Sequence, residues 1–153
     1  MADTSLNENR LALLIWQTSN LWQSKVRQKL KESEITLNEY LILETIYLLQ
    51  QQKINITQKD ICINASIDRS VVSLRVSILE EKKLISKQQP QDKRSDSLIL
   101  SEAGNYLINN IIDNIVELEN ELFNKLGSEI FNFTNSLKLL LGKKIRIRAK
   151  LND

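Results

Sequence analysis

SIDRSVVSLRVSILEEKKLISKQQPQDKRSDSLIL, residues 66–100, changes its rhythm once, and that change decides the fold. The first half places Val72, Val76 and Leu79 at i, i+4 and i+7, the spacing of one helix face. Arg69, Ser70, Ser73 and Ser77 fall on other faces, and Asp68 stands where an N-cap is needed. In the second half the helical period gives way to alternation. LISKQQ and SLILS set apolar against polar residues by turns, and PQDKRSD joins them. Pro90, the chain's one proline, presets a turn there, and Asp92 or Asp96 can accept hydrogen bonds from the nearby backbone. These features predict a β-hairpin over 84–100 with Lys93 and Arg94 at its tip.

Just upstream, NITQKDICIN predicts a short helix with Thr57 as N-cap and Asp60 in its first turn, where the helix dipole favours negative charge. A short helix, a turn of about four residues and a second helix with a polar, basic leading end form a helix-turn-helix, whose second helix enters the DNA major groove. A hairpin directly after it is a wing.

Further out the chain reads as helix. Residues 8–31 place Leu11, Leu14, Ile15, Leu21, Trp22, Val26 and Leu30 near helical spacing, which predicts a long amphipathic helix. In ITLNEYLILETIYLLQ, Thr36 and Glu39 form a capping box ahead of a helix apolar nearly all round, hence central. From about Ser101 to Leu126 another long helix carries more apolar residues than one packed face needs, so a second copy of the chain is expected against it. One more helix and a basic end, with Lys143, Lys144, Arg146, Arg148 and Lys150, complete the chain. The expected organisation is a single domain over 1–153, with a winged helix-turn-helix lobe at 36–100 and dimerisation helices at 8–31 and 101–150.

The composition agrees. With 153 residues, 3 Gly and 1 Pro, the chain suits one unit of long helices joined by few turns. Its net charge of +2 is sorted into blocks: −1 over residues 1–52, +3 over 53–100, −5 over 101–136 and +5 over 137–153. Such sorting fits a polyanionic partner for the positive blocks, although a charge run is more often a solvated face. MADTSLNENR is polar and acidic, unlike a signal peptide, and no apolar run approaches the roughly 20 residues of a membrane span. No membrane partner is expected. The one cysteine, Cys62, cannot form an internal disulfide, which fits a cytoplasmic location; its isoleucine neighbours point to burial rather than a redox role. The absence of histidine removes the commonest general base and zinc ligand, and no phosphate loop or nucleophile elbow occurs. An enzyme is disfavoured, and no cofactor or metal is expected.

Five pieces between residues 57 and 104, TQKDI, SIDRSVVS, LEEKKLI, PQDKRS and LSEAG, occur in the order and spacing of one family. In these, and in element order over essentially the whole chain, the sequence resembles the MarR family (multiple antibiotic resistance regulators) of winged helix-turn-helix transcriptional regulators. The resemblance implies a mainly α fold with a small β-hairpin, flanked by N- and C-terminal dimerisation helices. It also implies a homodimeric repressor reading a pseudo-palindromic operator in double-stranded DNA, with the 68–82 helix in the major groove and the 84–100 wing on the minor groove. The candidate DNA contacts are Arg69, Ser70, Ser73 and Arg75 on the helix and Lys87, Asp92, Lys93 and Arg94 on the wing. In related wings the arginine is directed at the minor groove and the aspartate orients it; the plainer reading is an ion pair that stiffens the hairpin. Similar proteins hold a small aromatic effector between the dimer helices and the DNA-binding lobe, which brings Trp16, Trp22, Tyr40 and Tyr47 forward as pocket candidates, against the plainer reading of core or interface aromatics.

Two departures stand out. Lys83 occupies the position after the recognition helix where the family usually has glycine, and Leu74 and Ile78 stand where it often has basic residues. Arg69 and Arg75 are then the only cations expected on the front of the helix. The alternative reading is a winged-helix interaction module that has lost sequence-specific DNA binding.

Overall fold

The computed structural model describes residues 8–88 and 97–145. Pro90, Asp92, Lys93, Arg94 and Asp96 of the expected wing, and Arg146, Arg148 and Lys150 of the basic end, lie outside the described residues.

Helix α1 (Leu11–Leu30) buries only Val26 and Leu30, both near its C-terminal end, and closes in a 3-10 turn at Lys31–Ser33. Glu34 then takes a left-handed conformation (φ 55°), redirecting the chain into α2 (Leu37–Leu49). The expected capping box is present: the Glu39 N–H donates to Thr36 Oγ1 (3.2 Å) and the Thr36 N–H to Glu39 Oε2 (3.1 Å). α2 buries Leu37, Tyr40, Ile42, Leu43 and Ile46, and so is the central helix its all-round apolar sequence predicts. α3 (Gln58–Ala65) starts on a second full box, in which Asp60 both receives its cap from Thr57 and returns one to the Thr57 N–H (2.9 Å).

α4 (Arg69–Glu81) buries Val72, Val76 and Leu79, the stripe read from the sequence. Asp68 occupies its N-cap position, but its side chain makes no capping hydrogen bond. What remains of its role is charge against the positive end of the helix dipole. The strands β1 (Ile85–Gln88) and β2 (Ser97–Leu100) pair antiparallel in the register Ile85 with Leu100 through Gln88 with Ser97. The ribbon is anchored at the base of the helix-turn-helix: the Leu98 N–H donates to the Ile56 carbonyl (2.7 Å) and the Ile56 N–H to Ser97 Oγ (3.3 Å).

α5 (Glu102–Phe123) is capped by Ser101, whose Oγ accepts from the Gly104 N–H (3.0 Å) and donates to the Lys83 carbonyl (2.7 Å). Ile108, Ile111 and Ile115 form its buried stripe. A 3-10 segment (Asn124–Glu129), bent at Gly127 (φ 55°), leads to α6 (Ile130–Leu140), which buries no residue. The chain divides into two compact units, Met1–Val116 and Glu117–Asp153, with the division inside α5. The first holds the core just described, and the second includes the end of α5, the 3-10 segment and α6.

The end of α4 answers the first departure. Lys83 adopts the left-handed conformation itself (φ 60°), the Leu84 N–H donates to the Leu79 carbonyl (3.0 Å) and the Lys83 N–H to that of Glu80 (3.0 Å). This is a Schellman ending with lysine where glycine fits best. Left-handed backbone costs a non-glycine residue about 1 kcal/mol, against which glycine's greater unfolded-state freedom weighs a little less. Lys83→Gly is therefore expected to raise stability by up to about 1 kcal/mol, read as a higher midpoint in urea unfolding; a lower midpoint would show that the left-handed lysine carries no strain.

Candidate nucleic-acid interface

α3 and α4 are joined by Ser66, Ile67 and Asp68, with Ser66 in the left-handed region (φ 52°) turning the chain between them. The turn is one residue shorter than the spacing suggested. With Val72, Val76 and Leu79 held in the core, the opposite face of α4 turns outward and presents Arg69, Ser70, Ser73, Leu74 and Ser77, all exposed. The Ser77 hydroxyl donates back to the Ser73 carbonyl one turn earlier (3.2 Å). It keeps its oxygen lone pairs facing out.

Arg75 is placed differently from the other helix candidates. It is half-buried on the flank of α4, and its Nη1 lies 3.8 Å from Oε1 of Glu39, whose side chain is 1% exposed. Lys82 Nζ reaches the same carboxylate at 3.2 Å and 3.4 Å, and also donates to the Glu34 carbonyl at 2.9 Å. Glu39 thus ties the start of α2 to the middle and end of α4 and fixes the angle at which α4 is presented. Sequence reasoning found Glu39 only as a cap. No local pattern shows that cations 36 and 43 residues downstream converge on it. Of the two cations expected on the front of α4, Arg69 has no carboxylate partner among the described residues and Arg75 already has one.

On the first strand Lys87 is exposed, as its position in the wing requires. At the start of α3, Asp60 is held below the ordinary carboxylate range: burial works to raise its pKa, but hydrogen bonds from the Lys53 ammonium (2.9 Å) and from the Thr57 N–H and hydroxyl outweigh it. That pair fixes the loop before α3 to the helix it precedes.

The four aromatic pocket candidates are in four different situations. Trp16 is 64% exposed on α1, Trp22 is half-buried, and Tyr40 is a core residue at 1% exposure, out of reach of a ligand in this conformation. The Tyr47 hydroxyl donates to Asn109 Oδ1 (2.9 Å), pinning α2 to α5. The second unit carries an open groove of about 380 Å³ along Gly127, Ser128, Ile130, Phe131, Thr134, Asn135 and Lys138, which includes none of the four. Among the described residues no three His, Cys, Asp or Glu side chains cluster as metal ligands, and no helix is long and apolar enough to cross a membrane.

The sequence model of the MarR family matches residues 35–95, from α2 into the wing. The uncharacterized HTH-type transcriptional regulator YdcH of Bacillus subtilis is 30% identical over 129 residues, which span 84% of this chain and 87% of that protein. The chain belongs to the MarR family. Among solved structures, the Staphylococcus aureus MepR–DNA complex is similar with a TM-score of 0.79 and 26% identity, covering 89% of this chain and 97% of MepR. CouR from Rhodococcus jostii, bound to p-coumaroyl-CoA, matches with a TM-score of 0.78 over 92% of this chain and 97% of CouR; at 16% identity it shows the shared fold alone. The mainly helical winged fold expected from residues 57–104 is therefore the one observed, and it is that of the MarR regulators.

Proposed function

We propose that this chain is a homodimeric DNA-binding transcriptional regulator rather than an enzyme, and that it acts in the cytoplasm as a repressor on a pseudo-palindromic operator. The observation that carries the reading is the outward face of α4, where an exposed arginine and three serines stand opposite a fully buried valine and leucine stripe. A helix held by its back, with a polar leading end turned out, has the form of a recognition helix in the major groove. The similarity to MepR in its DNA complex supports the same reading. In it Arg69, Ser70 and Ser73 contact bases, Lys87 and the wing residues Asp92, Lys93 and Arg94 contact the minor groove or phosphates, and Arg75 chiefly positions α4 through Glu39.

Dimerisation is supported by apolar surface left uncovered on a single chain. Leu11, Leu14 and Ile15 of α1, Val116 of α5, and Leu139, Leu140 and Leu141 at the end of α6 are all exposed. Such surface on flanking helices is what a second copy would bury. We place the 36–100 lobe on DNA and the helices at 8–31 and 101–150 at the dimer interface. Release by a small aromatic effector is part of the same reading, with Trp16 exposed and Trp22 half-buried on α1 as the side chains a ligand could reach.

The test is equilibrium binding of the dimer to duplexes from its own upstream region and to random duplexes, as a function of salt. Binding to both at low salt is expected, with the upstream site retained as salt rises. A complex with several phosphate contacts should lose affinity roughly a thousandfold or more between about 50 and 200 mM salt on random DNA. The rival reading, an interaction module without DNA binding, is favoured by exposed Leu74 on the same face; absence of binding at low salt would select it.

A further inference from the structure

The outward face of α4 contains one residue that a phosphate- or solvent-facing surface does not call for. Leu74 is 58% exposed, and its neighbours on that face are Ser70 one turn before, Ser73 beside it and Ser77 nearly one turn after. It takes no part in the buried stripe of Val72, Val76 and Leu79. An isobutyl group framed by hydroxyls is poorly suited to phosphate, and on this helix the family resemblance leads one to expect a cation there. The major groove offers few apolar partners. On the base edges exposed there, the apolar group is the C5-methyl of thymine.

Resting on the reading of α4 as the groove helix, we propose that Leu74 is a specificity residue that reads a thymine methyl in each operator half-site. The surrounding hydroxyls make that contact selective. The Ser77 hydroxyl donates to the Ser73 carbonyl (3.2 Å), and while that bond is kept Ser77 meets the groove as an acceptor. The complementary donors on base edges are the N6 amino group of adenine and the N4 amino group of cytosine. A thymine under Leu74, with its paired or neighbouring adenine under Ser77, satisfies both side chains at once. A guanine would set its acceptors N7 and O6 against the oxygen of Ser77 and offer Leu74 nothing apolar. A leucine where the resemblance leads one to expect a cation then changes what the helix reads.

Replacing thymine by deoxyuridine removes the methyl and leaves every hydrogen-bonding group of the base unchanged, which isolates the proposed contact. Operator duplexes are first selected by the parent protein from a random pool, and each thymine of the half-site is then replaced in turn. Burying one methyl contributes about a fourfold change in affinity, so symmetric replacement in both half-sites should weaken parent binding roughly fifteenfold at one thymine position. Leu74→Ala should bind the thymine operator about as weakly as the parent binds the deoxyuridine one, and should itself be indifferent to the replacement. Because Leu74 is exposed, this variant should melt with the parent, which the same samples report. Ser77→Ala provides a second reading, with reduced preference for adenine or cytosine at the adjacent position while sensitivity to the methyl persists.

Selected half-sites without a common thymine, parent binding unaffected by deoxyuridine, or Leu74→Ala retaining the parent's sensitivity would each overturn the proposal. Any of these would leave DNA binding by α4 standing. Failure of the parent to enrich any duplex at low salt would instead remove the underlying reading, and the proposal with it.

Discussion

Gly104→Ala is expected to destabilise the protein by about 3 kcal/mol, although in an isolated helix the same change stabilises by about 1 kcal/mol. The reason lies in the backbone opposite. A Cβ at residue 104 would collide with the carbonyl oxygen of Leu84, the residue that leads from α4 into the wing. That oxygen also accepts the Ser101 N–H (3.0 Å), while Ser101 Oγ holds the Lys83 carbonyl and the Gly104 N–H. The obstruction is backbone held by several hydrogen bonds, so it cannot swing aside as the end of a flexible side chain would. Relief requires α5 to move away from the base of the wing, which breaks the Ser101 contacts and loosens the packing of Leu100 beside them. Overpacking against fixed backbone outweighs the gain in helix propensity. Urea unfolding monitored by circular dichroism checks the sign; an unchanged or higher midpoint would contradict the close approach.

The second large effect is expected at the buried carboxylate. Lys82→Met should cost about 3 kcal/mol, because it leaves Glu39 charged and 1% exposed, with Arg75 at 3.8 Å as its remaining cation. Glu39→Gln should cost only about 1 kcal/mol. The amide oxygen can still accept the Thr36 N–H of the capping box, and the two cations left behind are both about a third exposed, so water can solvate them. The ordering distinguishes this account from one in which the ion pair is simply a favourable contact, where either change would cost the same. In the double mutant the loss should be close to that of Glu39→Gln alone, since removing the buried charge removes what Lys82 compensates. Equal single losses that add in the double mutant would contradict it. Both changes should also weaken DNA binding beyond their effect on folding, because Glu39 sets the angle of α4.

What could be read from the sequence was what is local. The boxes at Thr36 with Glu39 and Thr57 with Asp60 lie within four residues, and the stripe Val72, Val76, Leu79 within two helical turns, so spacing alone identifies them. The hairpin followed from alternation and from the proline between its halves. Lys83 was legible through the family resemblance, which marked the position as one that wants glycine, and the chain meets the requirement with a left-handed lysine. Features that depend on distant residues were not legible. Glu39 reads as a cap, yet its second function needs Arg75 and Lys82 to return across the fold. Asp68 has the right identity and position for a cap, but the geometry of this turn leaves its carboxylate unused for capping. The family resemblance brings Tyr40 forward as a pocket candidate, and its 1% exposure on the central helix favours the plainer reading of a core aromatic, which depends on packing that the sequence does not show. Gly104 was recognised as part of LSEAG without its reason, the approach of Leu84, which only tertiary packing creates.

In the proposed function α4 reads base sequence, and Arg69, at its leading end and clear of intramolecular carboxylates among the described residues, is the principal cation doing so. The most direct measurement is the affinity of the parent and of Arg69→Ala for the operator and for random duplex of equal length, at one salt concentration. If Arg69 forks onto the O6 and N7 of a guanine, the variant loses about 1 to 3 kcal/mol on the operator and much less on random DNA, and discrimination at that base pair relaxes. If the losses on the two duplexes are equal, Arg69 holds phosphate, and α4 does not read sequence through it.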